Sequence, residues 1–239
     1  MLKHIILFFI LIHLAQADTL PDTAKVLERT KITPERDIWL WMENPEKNPR
    51  DTSEDIYSCP EQTRGHYYTG IAKVSLINTQ TKTIIQTLDI KSDDDNTNKI
   101  DLPYLIKHGY YYSVPKTGKN QEGKPQILLL KDYNNDGKKH EFALFDAIAC
   151  MGLETSLIGY SEKQDKLMQY QTELKTQQGT RTQYWTDYLF TQQANKQGIW
   201  QYEIDYRGRA GSLDKYDIHY DKQRELFYGT LNSIHDEIN

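Results

Sequence analysis

The fold class is decided by the stretch Trp200-Gln201-Tyr202-Glu203-Ile204-Asp205-Tyr206, in which large apolar or aromatic residues alternate with polar ones. Residues 207–212 then form a glycine-containing turn, and Tyr216-Asp217-Ile218-His219-Tyr220 returns with the same period. A period of two places successive side chains on opposite faces of a strand. The stretch therefore predicts an antiparallel hairpin that turns one face towards a core.

Similar segments occur along most of the chain beyond Cys59. About ten strand candidates follow one another at roughly ten-residue spacing. They include residues 72–76, 84–90, 110–114, 126–130, 155–160, 167–174 and 226–231. Helical spacing is indicated only at residues 182–190. The pattern predicts a mainly β protein, an antiparallel sandwich or barrel with one or two short helices, and a small or partial β-propeller is the alternative.

The N-terminus has the pattern of a signal peptide. Lys3 precedes a short apolar run, and Ala15-Gln16-Ala17 is an A-x-A cleavage site. We therefore expect residues 1–17 to be removed after Ala17, and the mature protein to be secreted or periplasmic. No later run approaches the roughly 20 apolar residues of a membrane-spanning helix, so no transmembrane segment is expected in the mature chain.

The remaining chain divides by composition into two parts. Residues 18–58 are a polar N-terminal segment, in which residues 18–35 have the composition of a leader or linker. Residues 37–42 are apolar and indicate either a short strand or one helical turn. Residues 59–239 are predicted to form a single β-rich domain, a length that one all-β domain can have.

The two cysteines, Cys59 and Cys150, both follow the signal peptide. An even number of cysteines in an exported protein predicts one disulfide bond between them. The alternative is a pair of buried free thiols. A disulfide between these two cysteines would lower the chain entropy of the unfolded state, and this effect would stabilise the protein by at most about 4–5 kcal/mol.

The only metal-type spacing is Asp132-Tyr133-Asn134-Asn135-Asp136-Gly137-Lys138-Lys139-His140-Glu141-Phe142. It places hard oxygen ligands at positions 1, 3 and 5 and a glycine at position 6, as in D-x-[DN]-x-[DN]-G. The candidate ligands of a structural Ca²⁺ are the side chains of Asp132, Asn134 and Asp136, the backbone carbonyl of Lys138, and Glu141 directly or through water.

This pattern resembles the calcium loops of dockerins, EF-hands and the FG-GAP repeats of integrin-like propellers, over residues 132–142 only. An EF-hand has a bidentate glutamate where this chain has Ala143, and an FG-GAP repeat has an aspartate where it has His140. Strand-like flanks on both sides fit the FG-GAP type better, and that resemblance implies a structural calcium ion. The alternative is a hairpin loop whose Asp and Asn side chains bond to nearby backbone amides.

A second candidate site is the turn that carries Arg207 and Arg209, whose guanidinium groups could together bind an anionic ligand. The alternative is that each arginine pairs with Asp205, Asp214 or Asp217 of its own hairpin. The formal net charge of −5 argues against a nucleic-acid partner, because a protein that binds nucleic acid would show a basic stripe.

No nucleophile elbow, zinc-protease motif or phosphate-binding loop is present, so no catalytic residue is predicted. The chain has 17 tyrosines, side chains suited either to a half-buried sheet or to a groove for glycans. We therefore expect a secreted or periplasmic binding or interaction module with a structural calcium loop, whose partner is a glycan or a cell-surface ligand. The alternative is a secreted hydrolase that acts on glycans or another envelope polymer.

Overall fold

The computed structural model describes residues 19–49, 66–93, 99–102, 112, 116–118, 121–122, 126–148, 152–209 and 211–235. Within these residues the chain forms 17 β-strands, two 3₁₀ helices (Leu189–Thr191 and Arg207–Arg209) and no α-helix. The strands, in chain order, are β1 (Ala24–Thr33), β2 (Arg36–Glu43), β3 (Glu46–Pro49), β4 (His66–Asn78), β5 (Ile84–Asp89), β6 (Lys99–Leu102), β7 (Lys116–Gly118), β8 (Gln121–Glu122), β9 (Glu141–Ile148), β10 (Gly152–Ser161), β11 (Lys166–Gln169), β12 (Thr172–Thr176), β13 (Gly179–Gln183), β14 (Thr186–Asp187), β15 (Ile199–Asp205), β16 (Ser212–Asp221) and β17 (Leu226–His235). The prediction of a mainly β protein is confirmed.

The first sheet is built around β4, which is 13 residues long. The first half of β4 pairs with β3 and β6, the second half pairs with β2 and β5, and β1 lies beyond β2. Ala72, Val74 and Leu76 alternate along β4 and are completely buried. Because a slip of one residue would move all three to the opposite face, this alternation fixes the register of the sheet.

The polar segment before residue 36 is not a linker, because residues 24–33 form strand β1. This strand pairs with β2 along its length and packs on the core through Leu27 and Ile32. An edge strand that buries few side chains can be mostly polar, which is why its composition suggested a leader. Residues 37–42 belong to strand β2 rather than to a helical turn.

The second and third sheets contain the C-terminal half of the chain. The second has the order β11-β10-β14 with β9 also paired to β10, and the third has the order β13-β12-β17-β16-β15. The hairpin predicted over residues 200–220 is present as β15 and β16, and Trp200 lies opposite Ile218. All pairs in these two sheets are antiparallel except β12 with β17, which run parallel.

The three larger sheets pack around one hydrophobic core in a sandwich-type arrangement, and among the described residues none of them closes into a barrel. Two glutamines connect the first and second sheets, because the side-chain amide of each bonds both the N–H and the C=O of one residue in the way that a neighbouring backbone would. The side-chain amide of Gln86 bonds the N–H (2.7 Å) and C=O (3.0 Å) of Leu167. Gln169 bonds the same two groups of Lys91 at 2.7 and 3.0 Å.

The short helix predicted for residues 182–190 is reduced to the 3₁₀ turn Leu189–Thr191. The preceding residues stay extended because tertiary contacts hold them. The carboxylate of Asp93 accepts hydrogen bonds from the backbone N–H groups of Tyr184 and Trp185. The indole N–H of Trp185 donates to the carbonyl of Lys91 at 2.6 Å. These bonds override a local spacing that resembles a helix.

Three sequence predictions fall outside the described residues. They are the signal peptide at residues 1–17, the cysteine pair Cys59 and Cys150, and the strand at 110–114 apart from Tyr112. They stay predictions. None of the helices in the described part of the chain has the length and apolar composition needed to cross a membrane.

Two hairpins of similar shape bring their tyrosines to the same end of the sandwich. The β10–β11 turn follows Tyr160 and ends at Asp165, and the β16–β17 turn follows Tyr220 and ends at Glu225. Asp165 and Glu225 both have positive φ, 45° and 53°, at the last position of a four-residue turn. The loop that follows Lys131 reaches the same end.

Candidate functional site

The acidic loop, residues 132–140, is closed at its base by a pair of backbone hydrogen bonds. Lys131 and Glu141 face each other as an isolated antiparallel bridge, with N···O distances of 2.8 and 3.2 Å. Glu141 begins strand β9, so the C-terminal flank is a strand as predicted. The N-terminal flank, residues 127–130, is not part of a strand. The loop is therefore a long turn between the bridge and β9.

Side chains of the loop bond to its own backbone amides. Asp132 accepts from the N–H groups of Asp136 and Gly137, both at 3.0 Å. Asn134 Oδ1 accepts from the N–H of Asp136 at 3.0 Å, and Asp136 accepts from Lys138 at 2.8 Å. Gly137 has φ +91°, a conformation that glycine adopts without strain. These bonds give the loop a defined shape without any added ion.

Glu141 lies underneath the loop and is completely buried. Its carboxylate accepts from the backbone N–H of Tyr133 at 3.1 Å and from the side-chain amide of Asn134 at 3.1 Å. Burial, reinforced by the negative charges of Asp136 and Asp132, raises the pKa of Glu141 to about 8. Three carboxylates therefore lie close enough to repel one another.

The space for the Glu141 side chain is provided by Gly159, its partner on strand β10. A Cβ atom at Gly159 would lie 2.8 Å from Cγ of Glu141 and 2.8 Å from a ring carbon of Tyr170. Tyr170 is 3% exposed and contacts the side chains of Asn134 and Tyr220. A polar chain thus runs from the buried carboxylate through Asn134 to two tyrosine hydroxyls.

One face of the acidic loop borders a cleft of about 340 Å³, which we call the tyrosine cleft. It lies between the loop and the β10–β11 and β16–β17 turns, and it is lined by Asn134, Asp136, Lys138, His140, Tyr160, Ser161, Glu162, Lys163, Tyr170, Tyr220, Lys222 and Glu225. Its rim is closed by ionic contacts, because Glu162 pairs with Lys138 and lies 3.7 Å from His140. Ser161 donates to Glu225 across the cleft at 3.0 Å.

The opposite face of the loop borders a second cleft of about 530 Å³, the amide cleft. Its other wall is formed by the 3₁₀ turn and the residues that follow it. It is lined by Lys131, Asp132, Tyr133, Asn135, Phe190, Thr191, Gln192, Gln193, Ala194, Asn195, Gly198 and Trp200. A Cβ atom at Gly198 would lie 3.2 Å from the side-chain amide of Asn135, so the loop packs closely against this wall. The acidic loop therefore separates two clefts.

All five candidate calcium ligands lie in or next to the acidic loop, but the side-chain amide of Asn134 points its donor group at two of the carboxylates. Asn134 directs its N–H₂ group at Glu141 (3.1 Å) and Asp136 (3.4 Å), where a cation would have to lie. In the described part of the chain, no group of three or more His, Cys, Asp or Glu side chains has a metal-holding arrangement. Calcium would fit this donor set only after the amide of Asn134 rotates to present its oxygen.

The second predicted site, the turn with Arg207 and Arg209, has one of its guanidinium groups already engaged. Arg207 binds Asp205 through two bonds, Nε to Oδ1 at 3.0 Å and Nη2 to Oδ2 at 2.7 Å. This contact, with the Arg207 backbone N–H, lowers the pKa of Asp205 to about 2. The side chain of Arg209 lies outside the described residues. An anion would therefore have to compete with Asp205 for Arg207. This pairing within the hairpin is the alternative that the sequence indicates for the arginine.

A group of acidic residues that the sequence did not reveal runs across three strands. Glu154 on β10 lies directly opposite Asp146 on β9 and Asp187 on β14. Burial, with the charges of Asp187 and Asp93, raises the pKa of Glu154 to about 7. Burial also raises the pKa of Asp187, although the Tyr216 hydroxyl donates to it at 3.0 Å. Only the strand register places these residues together, so no linear motif could have shown them.

The raised pKa of Glu154 predicts a specific pH dependence of stability. A carboxyl group whose pKa is higher in the folded state stabilises the fold fully below its unfolded-state pKa and loses that contribution as the pH rises through about 7. We expect the free energy of unfolding to fall between pH 5 and pH 8. Glu154→Gln should reduce this fall in the free energy of unfolding by roughly 1 kcal/mol. The expected reduction is no larger because solvent partly screens the charge of Glu154.

Urea denaturation of both proteins at four pH values in this interval, with EGTA present, measures the effect. Equal slopes in the wild type and in Glu154→Gln would show that Glu154 titrates normally in the folded protein. Glu173→Gln is a suitable control, because Glu173 lies on the outer face of the third sheet in contact with Arg224 at 3.2 Å.

Comparison with models of protein families, with curated proteins and with solved structures gives no match for this chain.

Proposed function

We propose that this protein is an extracytoplasmic binding module whose ligand-binding end is organised by a calcium-stabilised loop. The proposal combines the signal-peptide pattern with the acidic loop and the two clefts that the loop separates. The calcium ion would be bound by Asp132, Asn134, Asp136, the carbonyl of Lys138 and Glu141, and its role would be structural.

The observation that carries the proposal is the buried Glu141 carboxylate beneath Asp132 and Asp136. Burying a carboxylate is unfavourable unless a proton or a cation neutralises it. One of the two lysines in the loop, Lys138, is engaged by Glu162. A divalent cation would offset the repulsion among the three carboxylates and would hold the loop between the two clefts. Oxygen-rich loops of this spacing favour calcium over softer metals.

Calcium titration by calorimetry on the mature protein tests the metal part of the proposal. We expect a single site, and we expect millimolar calcium to raise the melting temperature relative to EGTA, because an ion that binds only the folded state stabilises it. Magnesium is the matched control, since its small and strictly octahedral shell suits the ligand set of this long loop less well. The absence of both heat and a melting shift with calcium would refute the site.

A second candidate function, a secreted hydrolase acting on glycans, is supported by one observation. Glu154 and Asp187 are directly opposed on neighbouring strands, which brings their Cα atoms to within about 4.5–5.5 Å. Glu154 has its pKa raised to about 7, as a general acid requires, and glycosidases use such pairs of carboxyl groups. Both clefts beside the acidic loop are lined by other residues.

Release of reducing ends from a panel of polysaccharides tests the second function. We expect any activity to fall at least about 100-fold in Glu154→Gln, because the proton donor is lost. Activity that survives this substitution, or no activity in the wild type, would exclude Glu154 and Asp187 as a catalytic pair.

A further inference from the structure

The amide cleft has polar groups that the fold itself does not use. Among the described residues, the side chains of Asn135 and Gln193 make no hydrogen bond, although both line the cleft. Gln192 uses only its N–H₂ group, which donates to Thr191 at 3.1 Å. All three side chains are exposed. Amide groups carry a donor and an acceptor side by side, which matches a ligand hydroxyl that both donates and accepts.

The aromatic part of the lining lies beside these amides. Tyr133 is half-buried and meets the ring of Phe190 edge to face, with centroids 5.6 Å apart. Trp200 is 3% exposed, and its indole N–H is the one buried side-chain polar atom that has no hydrogen-bond partner among the described residues. This donor is buried, so the exposed amides, and not the indole N–H, are the groups available to a ligand.

The charge and shape of the cleft narrow the class of ligand. Among the described residues that line the cleft, only Lys131 and Asp132 are charged, and their charges are opposite, so the lining favours an uncharged ligand. Its walls are the acidic loop and residues 190–198, and Trp200 of strand β15, the edge strand of the third sheet, also lines it. A peptide that adds to β15 as a further strand is the alternative occupant, and the test includes peptides for this reason.

We propose that the amide cleft binds an uncharged saccharide. The inference rests on the proposed function, because it names the ligand class of the same binding module. Asn135, Gln192 and Gln193 bond the sugar hydroxyls, and the half-buried ring of Tyr133 contacts an apolar face of the sugar. Asn135 belongs to the acidic loop, so the order of the loop and the shape of the cleft are coupled through the packing of Asn135 on Gly198.

The test uses the mature wild-type protein with calcium on an array of uncharged oligosaccharides: oligomers of glucose, mannose, galactose and N-acetylglucosamine. Unstructured peptides of comparable length are included on the same array. Calorimetry with the best-bound oligosaccharide then compares the wild type with the double variant Gln192→Ala, Gln193→Ala. We expect the double variant to bind about tenfold more weakly, since it loses two hydrogen-bonding groups.

Gln80→Ala is the matched control, because Gln80 is exposed in the β4–β5 turn and lines neither cleft. It should bind as the wild type does. Unchanged saccharide binding in the double variant overturns the inference, as does binding of peptides alone or of neither class. A calcium titration of the same preparation separates the two proposals. If the wild type binds calcium but no saccharide, only this inference is overturned. If the wild type binds no calcium, the proposed calcium site is overturned independently.

Discussion

Replacing Gly229 with alanine is expected to lower the free energy of unfolding by about 3 kcal/mol or more. Gly229 lies in strand β17, between Ile218 of β16 and Leu174 of β12. An added Cβ atom would lie 2.0 Å from the carbonyl oxygen of Asp217 and 2.7 Å from Cα of Ile218. Both are backbone atoms of a paired strand, so the clash is relieved only if β16 and β17 separate.

Thermal and urea denaturation measure this effect, and the melting temperature should fall by roughly 10 °C for a chain of this size. Gly208→Ala is the control, since no atom lies within 4 Å of the position that its Cβ would occupy. It should change stability by less than about 0.5 kcal/mol. Equal stability of the Gly229→Ala and Gly208→Ala proteins would contradict the close approach of the two strands.

If the proposed calcium site is correct, replacing Asp132 with alanine is expected to weaken calcium binding by about 100-fold or more, because it removes the first proposed carboxylate ligand of the loop. The same change removes two hydrogen bonds that shape the loop, from the N–H groups of Asp136 and Gly137. Calorimetric titration measures the affinity, and the melting temperature with EGTA measures the loss of loop structure separately.

Asp221→Ala is the matched control for this experiment. Asp221 also accepts hydrogen bonds from two backbone N–H groups of its turn, those of Gln223 (2.8 Å) and Arg224 (3.1 Å). It lies outside the acidic loop, so its loss should leave calcium affinity unchanged. An Asp132→Ala protein that binds calcium as tightly as the wild type would place the ion elsewhere.

The β architecture could be predicted from the sequence because its main signal is local. The alternation of Trp200, Tyr202 and Ile204 predicts strand β15 without knowledge of any partner strand, and its pairing with β16 follows from the turn between them. Strand β1 was missed because an edge strand with few buried side chains has no strong apolar period. Residues 182–190 were misread because Asp93, distant in sequence, holds their backbone extended.

The candidate site was only partly accessible from the sequence. The acidic loop is contiguous, so its spacing was visible, and the structure adds that Glu141 is buried beneath it. The two clefts could not be predicted, because their opposite walls come from turns that meet the loop only in three dimensions. The opposition of Glu154 and Asp187 depends in the same way on the register between β10 and β14, which no single stretch encodes.

The parallel pairing of β12 with β17 has a consequence for the order in which the protein is assembled. The two strands begin at Thr172 and Leu226, so β12 cannot acquire its central partner until the last hairpin of the chain has been synthesised. Pairings between residues far apart in sequence form slowly, because the intervening chain must first be ordered. The N-terminal sheet can therefore form during synthesis. The third sheet cannot be completed until β17 has been synthesised, and until then the edge of β12 that pairs with β17 stays unpaired.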